Sequence, residues 1–267
     1  MERFNHGIGL ILLGLMPLSA NHPGNVPEQP DKAVKITIIY DNYPGSHALE
    51  TDWGFACRVE YLGDQLLFDS GGKAELYQKN AESLKVSPED FPTLFISHSH
   101  WDHTGGMGWI VERNPSIMCY LPASFAAQLK NRGSLPARYM AIAEPAHLFG
   151  PFYSTGDQFD QFPEQGLVVR TEQGGVLVTG CGHPGVLEMV SKVKEEMGIG
   201  LHAVIGGLHL LRTSDKEVHQ IAEELKQMGI RYICPTHCTG DKAIGILKAS
   251  FGEGYIAGGT GTEIVIE

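Results

Sequence analysis

The run Ser97-His98-Ser99-His100-Trp101-Asp102-His103-Thr104-Gly105-Gly106 places four potential metal ligands within six positions, directly after the apolar segment Thr93-Leu94-Phe95-Ile96. In an extended chain, residues two apart point the same way, so His98 and His100 can share one cation. Asp102 and His103, where the next helix begins, turn toward a second. Three imidazoles and a carboxylate side by side are costly to take out of water unless a cation compensates them. A mixed imidazole and carboxylate set suits zinc, with manganese or iron as alternative occupants.

Three further apolar runs end in polar clusters: Val176-Leu177-Val178-Thr179-Gly180-Cys181-Gly182-His183, Ala203-Val204-Ile205-Gly206-Gly207-Leu208-His209 and Tyr232-Ile233-Cys234-Pro235-Thr236-His237-Cys238. Each puts a histidine at or just after a strand end. A lone histidine in that setting is ordinarily structural, but three of them repeating the setting of 98–103 point to one shared rim.

The elements that must position this rim are short β-rich runs at 34–41, 55–62, 65–69, 93–97, 116–121, 166–171, 175–180, 202–206, 231–234 and 262–266. Helical runs lie at 74–84, 106–113, 185–197, 215–228 and 241–250. The fourth helix opens with the capping box Ser214-Asp215-Lys216-Glu217 and closes at Gly229. Early strands follow one another directly while later ones alternate with helices, so two mixed sheets with helices outside are expected. The stretch 131–165 reads as the longest irregular loop, of the kind that often covers active sites.

With 267 residues the chain fits one sizeable α/β domain. A formal net charge of -11, without clustered Lys and Arg, argues against nucleic acid or an anionic membrane surface as partner. A small-molecule substrate is the expectation. Residues 1–20, with Arg3 and the apolar run Ile8 to Leu18, read as a secretory signal, too short to make a stable membrane anchor. The protein is then periplasmic or secreted, and cytoplasmic if that segment is not a signal. Residues 21–33 read as a flexible lead-in, and 34–267 as the domain. The five cysteines are an odd number in a chain of this size, which argues against a disulfide framework. Cys57 and Cys119 read as buried thiols, while Cys181, Cys234 and Cys238 lie close to candidate ligands.

With these motifs in place, the chain resembles the metallo-β-lactamase superfamily over nearly all of 34–267. The resemblance rests on the H-x-H-x-D-H loop, on Leu66-Leu67-Phe68-Asp69-Ser70-Gly71, whose Asp69 looks like the family's strand-ending aspartate, and on Pro235-Thr236-His237. It implies a four-layer αβ/βα sandwich with a dinuclear metal site along one edge, where a metal-bound hydroxide attacks an ester, thioester, amide or phosphoester. Asp41-Asn42, the 180–185 and 206–210 segments and Pro235-Thr236-His237-Cys238-Thr239-Gly240 look like one branch, represented by an archaeal dihydropterin/ribofuranosylaminobenzene-phosphate synthase. A transferase is therefore the alternative to a hydrolase. A non-enzymatic metal-binding or redox-sensing protein, acting through Cys234 and Cys238 around His237, is a second alternative.

On the resemblance, His98, His100 and His183 hold one cation and Asp102, His103 and His237 the other, with Asp69 orienting a ligand imidazole from behind. Asp102 is then both ligand and catalytic residue. Hydrolases of this fold usually place a bridging aspartate after a strand-end glycine, and here Gly180 is followed by Cys181. His183 is the favoured ligand there, with Cys181 as a thiolate alternative or a small buried residue. His209 is read as a ligand, a proton donor to the leaving group, or an orienting group.

Overall fold

The computed structural model describes Met1 and residues 32–45, 49–157 and 162–267. The expected signal over 1–20 and nearly all of the lead-in, residues 21–31, thus lie outside the described residues, apart from Met1. Among the described residues, no helix is long and apolar enough to cross a membrane.

The first sheet takes its strands from the N-terminal part of the domain and from its last strand. They are β1 (Val34–Tyr40), β2 (Ala56–Tyr61), β3 (Asp64–Phe68), β4 (Thr93–Phe95), β5 (Met118–Pro122), β6 (Tyr139–Ile142) and β13 (Glu263–Ile266), in the spatial order β13-β1-β2-β3-β4-β5-β6. β13, β1, β2 and β3 pair antiparallel, whereas β3 to β6 pair parallel. The second sheet contains β7 (Ala146–Phe149), β8 (Phe152–Ser154), β9 (Leu167–Thr171), β10 (Gly174–Thr179), β11 (Leu201–Gly207) and β12 (Tyr232–Thr236), ordered β12-β11-β10-β9-β8-β7. Here β10, β11 and β12 are parallel and the rest antiparallel. Both sheets are mixed, as the sequence pattern requires.

Strands buried on both faces read as nearly continuous apolar runs, and successive residues serve different layers. Val34, Ile36 and Ile38 of β1, Phe68 of β3, Val176 and Val178 of β10 and Ile205 of β11 meet in the core between the sheets. Their neighbours Ile39, Leu67 and Leu94 face α1 (Ala74–Ser83), α3 (Met107–Arg113) and α4 (Ala123–Arg132). Leu177, Val204 and Ile233 face α5 (Val186–Met197), α6 (Asp215–Gln227) and α7 (Asp241–Phe251). The result is the expected four-layer αβ/βα sandwich. The capping box of α6 is formed, with the Ser214 side chain accepting from the Glu217 N–H.

Two features depart from the sequence expectation. The stretch 131–165 is not an irregular loop: β6 extends the first sheet, and the hairpin of β7 and β8 forms the far edge of the second. Three of the four β6 residues are exposed, so no alternation betrays the strand. Helix α4 was not expected either. Pro122 precedes it without a side-chain cap, and the Ser124 N–H is bound instead by the Asp157 carboxylate, thirty-three positions away. A cap supplied by tertiary contact leaves no local signature. All five cysteines are free and buried.

Because β3 and β4 run parallel in one sheet, and β10, β11 and β12 in the other, the C-terminal ends of these strands lead into the segments that carry Asp69, His98, Cys181, His209 and His237.

Candidate metal centre

On the first sheet, Asp69 organises the loop. Its Oδ1 accepts the Ser97 N–H at 2.7 Å, and its Oδ2 accepts the Ser97 hydroxyl at 2.7 Å. The same Oδ2 lies 2.7 Å from His103 Nδ1. A carboxylate only accepts, so His103 must donate from Nδ1 and present Nε2 as a free donor atom. Ser97, having given its proton to Asp69, accepts from His98 Nδ1 at 2.9 Å, which frees His98 Nε2 in the same way. Asn42 completes the pattern from the end of β1: its Nδ2 donates to the His237 carbonyl at 3.3 Å and its Oδ1 faces His237 Nδ1 at 2.8 Å. Three imidazoles are thus fixed in one tautomer by three different partners.

Short-helix α2 (Trp101–Thr104) carries Asp102 and His103. It is pinned by backbone bonds from the Phe55 N–H to the Asp102 carbonyl (3.2 Å) and from the Ser70 N–H to the His103 carbonyl (2.9 Å). The approach is close: a Cβ on Gly54, whose φ is +143°, would lie 2.5 Å from the Asp102 carbonyl oxygen.

On the second sheet, the organiser is Glu164, a residue that no sequence signal singled out. Fully buried, it accepts backbone N–H groups from Gly180, Cys181 and Gly182 on Oε1 and from His183 on Oε2, at 2.9 to 3.1 Å. This holds the 180–183 turn to the segment that leads into β9. At Gly180 a Cβ would fall 2.1 Å from Ser97 Oγ, so only glycine lets the two loops meet.

The donor atoms then gather into groups. Asp102, His103, Cys181 and His237 place theirs within 4.8 Å of one another, and so do His98, Cys181 and His183. His100 Nδ1 sits 3.0 Å from His98 Nε2 and 3.1 Å from His183 Nε2, joining the second group. Cys181 Sγ is 3.2 Å from His103 Nε2 and therefore stands between the two groups, where the sequence favoured His183 as ligand. His183 belongs to one side and Cys181 faces both. His209 lies at the rim, its ring 4.4 Å from that of His183, and it forms a third group with Cys181 and Cys238. Cys234, by contrast, belongs to the core between the sheets and to none of these groups.

Electrostatics suits cations. Burial and the neighbouring imidazoles pull His98 well below its usual value, and burial with His209 and His100 pulls His183 down to about 3. Burial would raise the Asp102 carboxyl, yet the adjacent His237 and His103 hold it low. Burial also opposes charge on His103, but Asp69 and Asp102 overcome it and raise it to about 9. The Cys238 thiol beside it, together with burial, pushes Cys181 up. Glu164 is raised by burial against its four N–H bonds.

The residues fit a metal on a separate ground. His237 Nε2 is buried without a hydrogen-bond partner and points at Asp102 Oδ2, 3.4 Å away. Three of the site residues, Asp69, His209 and His237, adopt left-handed φ values of 54°, 53° and 49°. Such conformations cost on the order of 1–3 kcal/mol each in residues other than glycine, and persist where the surroundings enforce them for function.

Comparison with known proteins bears on the fold and the motif segment. The sequence model of the metallo-beta-lactamase superfamily matches residues 59–152, the segment that contains the H-x-H-x-D-H loop. The 7,8-dihydropterin-6-methyl-4-(β-D-ribofuranosyl)-aminobenzene-5′-phosphate synthase of Methanocaldococcus jannaschii is 28% identical over 273 residues, covering 83% of this chain and 93% of that protein. Among solved structures, Tm1679, a metal-dependent hydrolase of the β-lactamase superfamily, superimposes with a TM-score of 0.71 at 23% identity, over 86% of this chain and 98% of its own. The metallo-β-lactamase fold protein YhfI from Bacillus subtilis gives a TM-score of 0.64 at 16% identity, over 88% and 100%. Motif segment and architecture agree, and the chain is a metallo-β-lactamase-fold protein whose sequence resembles that superfamily and the pterin synthase within it.

Proposed function

We propose that the chain is a metal-dependent hydrolase acting on a small-molecule ester or phosphoester. One observation carries the reading: His98, His103 and His237 each have Nδ1 tied to a fixed partner, so their Nε2 atoms turn toward the other candidate ligands, His98 toward His100, His103 toward Cys181 and His237 toward Asp102. Two divalent cations, zinc by the chemistry of the donors, would be held by His98, His100 and His183 on one side and by Asp102, His103 and His237 on the other. Cys181 would serve as the shared donor. Bound there, they would supply Lewis acidity and lower the pKa of water toward neutrality.

The chain's own groups do the rest. Asp69 and Asn42 fix ring orientation, Glu164 holds the 180–183 turn, and Asp102 contributes the negative charge of the deeper half. His209, exposed at the rim beside His183, is placed to give a proton to a leaving group. No serine or cysteine nucleophile is required.

The test is zinc stoichiometry by elemental analysis, together with hydrolysis of bis(p-nitrophenyl) phosphate and p-nitrophenyl acetate before and after chelation. Two ions per chain and chelator-sensitive turnover are expected. A stoichiometry that stays at one or below after reconstitution with zinc, manganese or iron overturns the dinuclear site. The sequence relative favours a second reading, group transfer by the same centre. Formation of the phosphorylated arylamine–pterin product named for that relative, without hydrolysis of either ester, would select it.

A further inference from the structure

The clustered imidazoles belong to a longer file of rings. Phe162 stacks on His183 (centroids 5.7 Å, interplanar 28°), His183 meets His98 edge-on at 4.9 Å, and His98 packs on His103 at 4.2 Å. His103 meets His237 at 5.0 Å, and Trp53 closes the file on His237 at 4.8 Å. The two end rings are exposed, Phe162 by 53% and Trp53 by 37%; Trp101, Tyr139 and Tyr232 are exposed as well, but Phe162 and Trp53 are the exposed rings that pack directly on candidate ligands, whereas Phe55, Phe68, Phe95 and Phe152 are fully buried in the core. Exposed aromatic rings seated on candidate ligands call for an explanation that packing does not give.

Neither ring is placed by accident of a surface loop. Trp53 precedes Gly54 and Phe55, and the Phe55 N–H is bonded to the Asp102 carbonyl, so Trp53 is tied to the helix that carries two candidate ligands. Its own N–H is bound by Asp52 Oδ1 at 2.8 Å, and Asp52 is in turn paired with Lys73. Phe162 stands two residues before Glu164, whose carboxylate grips the backbone of the 180–183 turn that bears Cys181 and His183. Each aromatic wall is therefore locked to the metal-bearing segment of a different sheet. Between them the exposed rings of His100 and His209 line the opening.

From this arrangement we infer that Trp53 and Phe162 are specificity-determining walls that hold a planar aromatic or heteroaromatic ring of the substrate at the mouth of the metal centre. The inference rests on the metal-centre reading above and names the substrate class that the opening selects. Flat π-faces at both ends favour a flat partner over a saturated one of equal bulk, because the ring quadrupoles reward stacked and edge-to-face contact beyond the area buried. The reacting ester or phosphoester would be a substituent of that ring, close enough to reach the cations.

The experiment compares two non-hydrolysable probes, 2-naphthylphosphonate and its fully saturated decahydro counterpart, titrated calorimetrically into the zinc-loaded protein. The parent should bind the aromatic probe at least about tenfold more tightly. Trp53→Leu and Phe162→Leu, which keep apolar bulk and remove the π-face, should each reduce that ratio severalfold. Trp53→Phe should restore most of it. Tyr232→Ala, which removes an exposed aromatic ring at the opposite end of β12, should leave the ratio unchanged. Equal affinity of the parent for both probes, or a preference that survives both leucine variants, overturns the clamp. Chelation separates the two readings: loss of affinity for both phosphonates reports the metal, whereas the ratio between them reports the walls. A parent that binds two zinc ions but neither probe overturns the clamp alone. A parent that holds no zinc yet keeps the ring preference overturns the metal reading alone.

Discussion

The two halves of the candidate metal centre are built to different depths. In the half formed by Asp102, His103, Cys181 and His237 every side chain is buried, and His103 and His237 are backed by Asp69 and Asn42. In the other half His98 is buried, His183 is half-buried and His100 is exposed, and among the described residues none fixes the His100 ring from behind. Rigid second partners raise ligand basicity and hold orientation, so on the proposed reading the deep half would be the better-formed cation site and the shallow, solvent-facing half the one open to substrate.

The largest effect should come from removing the deep half. Asp102→Ala and His237→Ala are expected to cost more than about a hundredfold in turnover while the melting temperature changes little, because the charge lost belongs to the site and the sheet core is untouched. Near-normal turnover in either variant would erase the distinction between the halves. Asp69→Asn should follow, lowering zinc affinity roughly 10–100-fold. Since Asp69 holds His103 directly and His98 through Ser97, a competition titration should show both ions weakened, which sets this variant apart from any that touches one half.

The junction between the halves is tested next. In the cobalt-substituted protein, Cys181→Ser should abolish an intense thiolate charge-transfer band in the near ultraviolet, and His183→Ala should leave that band and lose only the shallow ion. A parent without the band would make Cys181 a filler and return the ligand role to His183 alone. The smallest of these effects belongs to Asn42→Ala, which frees the His237 ring. It should weaken only the deep ion, by about tenfold, as read by the same competition titration.

The H-x-H-x-D-H loop was legible as a candidate ligand cluster because its four residues are neighbours in sequence, and their types and spacing point to metal chemistry without help from the fold. The apolar runs 34–41 and 175–180 were legible as strands, but that Val34, Ile36 and Ile38 serve a different layer from Ile39, and Val176 and Val178 a different layer from Leu177, emerged only in the structure. Glu164 was not legible. Its role depends on four backbone N–H groups sixteen to nineteen positions away, and backbone donors have no sequence signature. The same holds for α4, capped by Asp157, and for β6, whose exposed residues become a strand only because β5 offers an edge to pair with.

Local sequence thus determined two mixed sheets with helices outside and the loop that carries the first four candidate ligands, because residue type, apolar period and strand-end position are properties of short segments; the four-layer sandwich came from the family resemblance. Tertiary structure alone decided that Cys181 stands between the two groups of donors, that His183 faces His100, and that Trp53 and Phe162 sit at opposite ends of the ring file. The physical reason is that these relations join loops from two different sheets, and their distances follow from how the sheets pack, through the Glu164 clamp and the close approach at Gly180, rather than from any spacing along the chain.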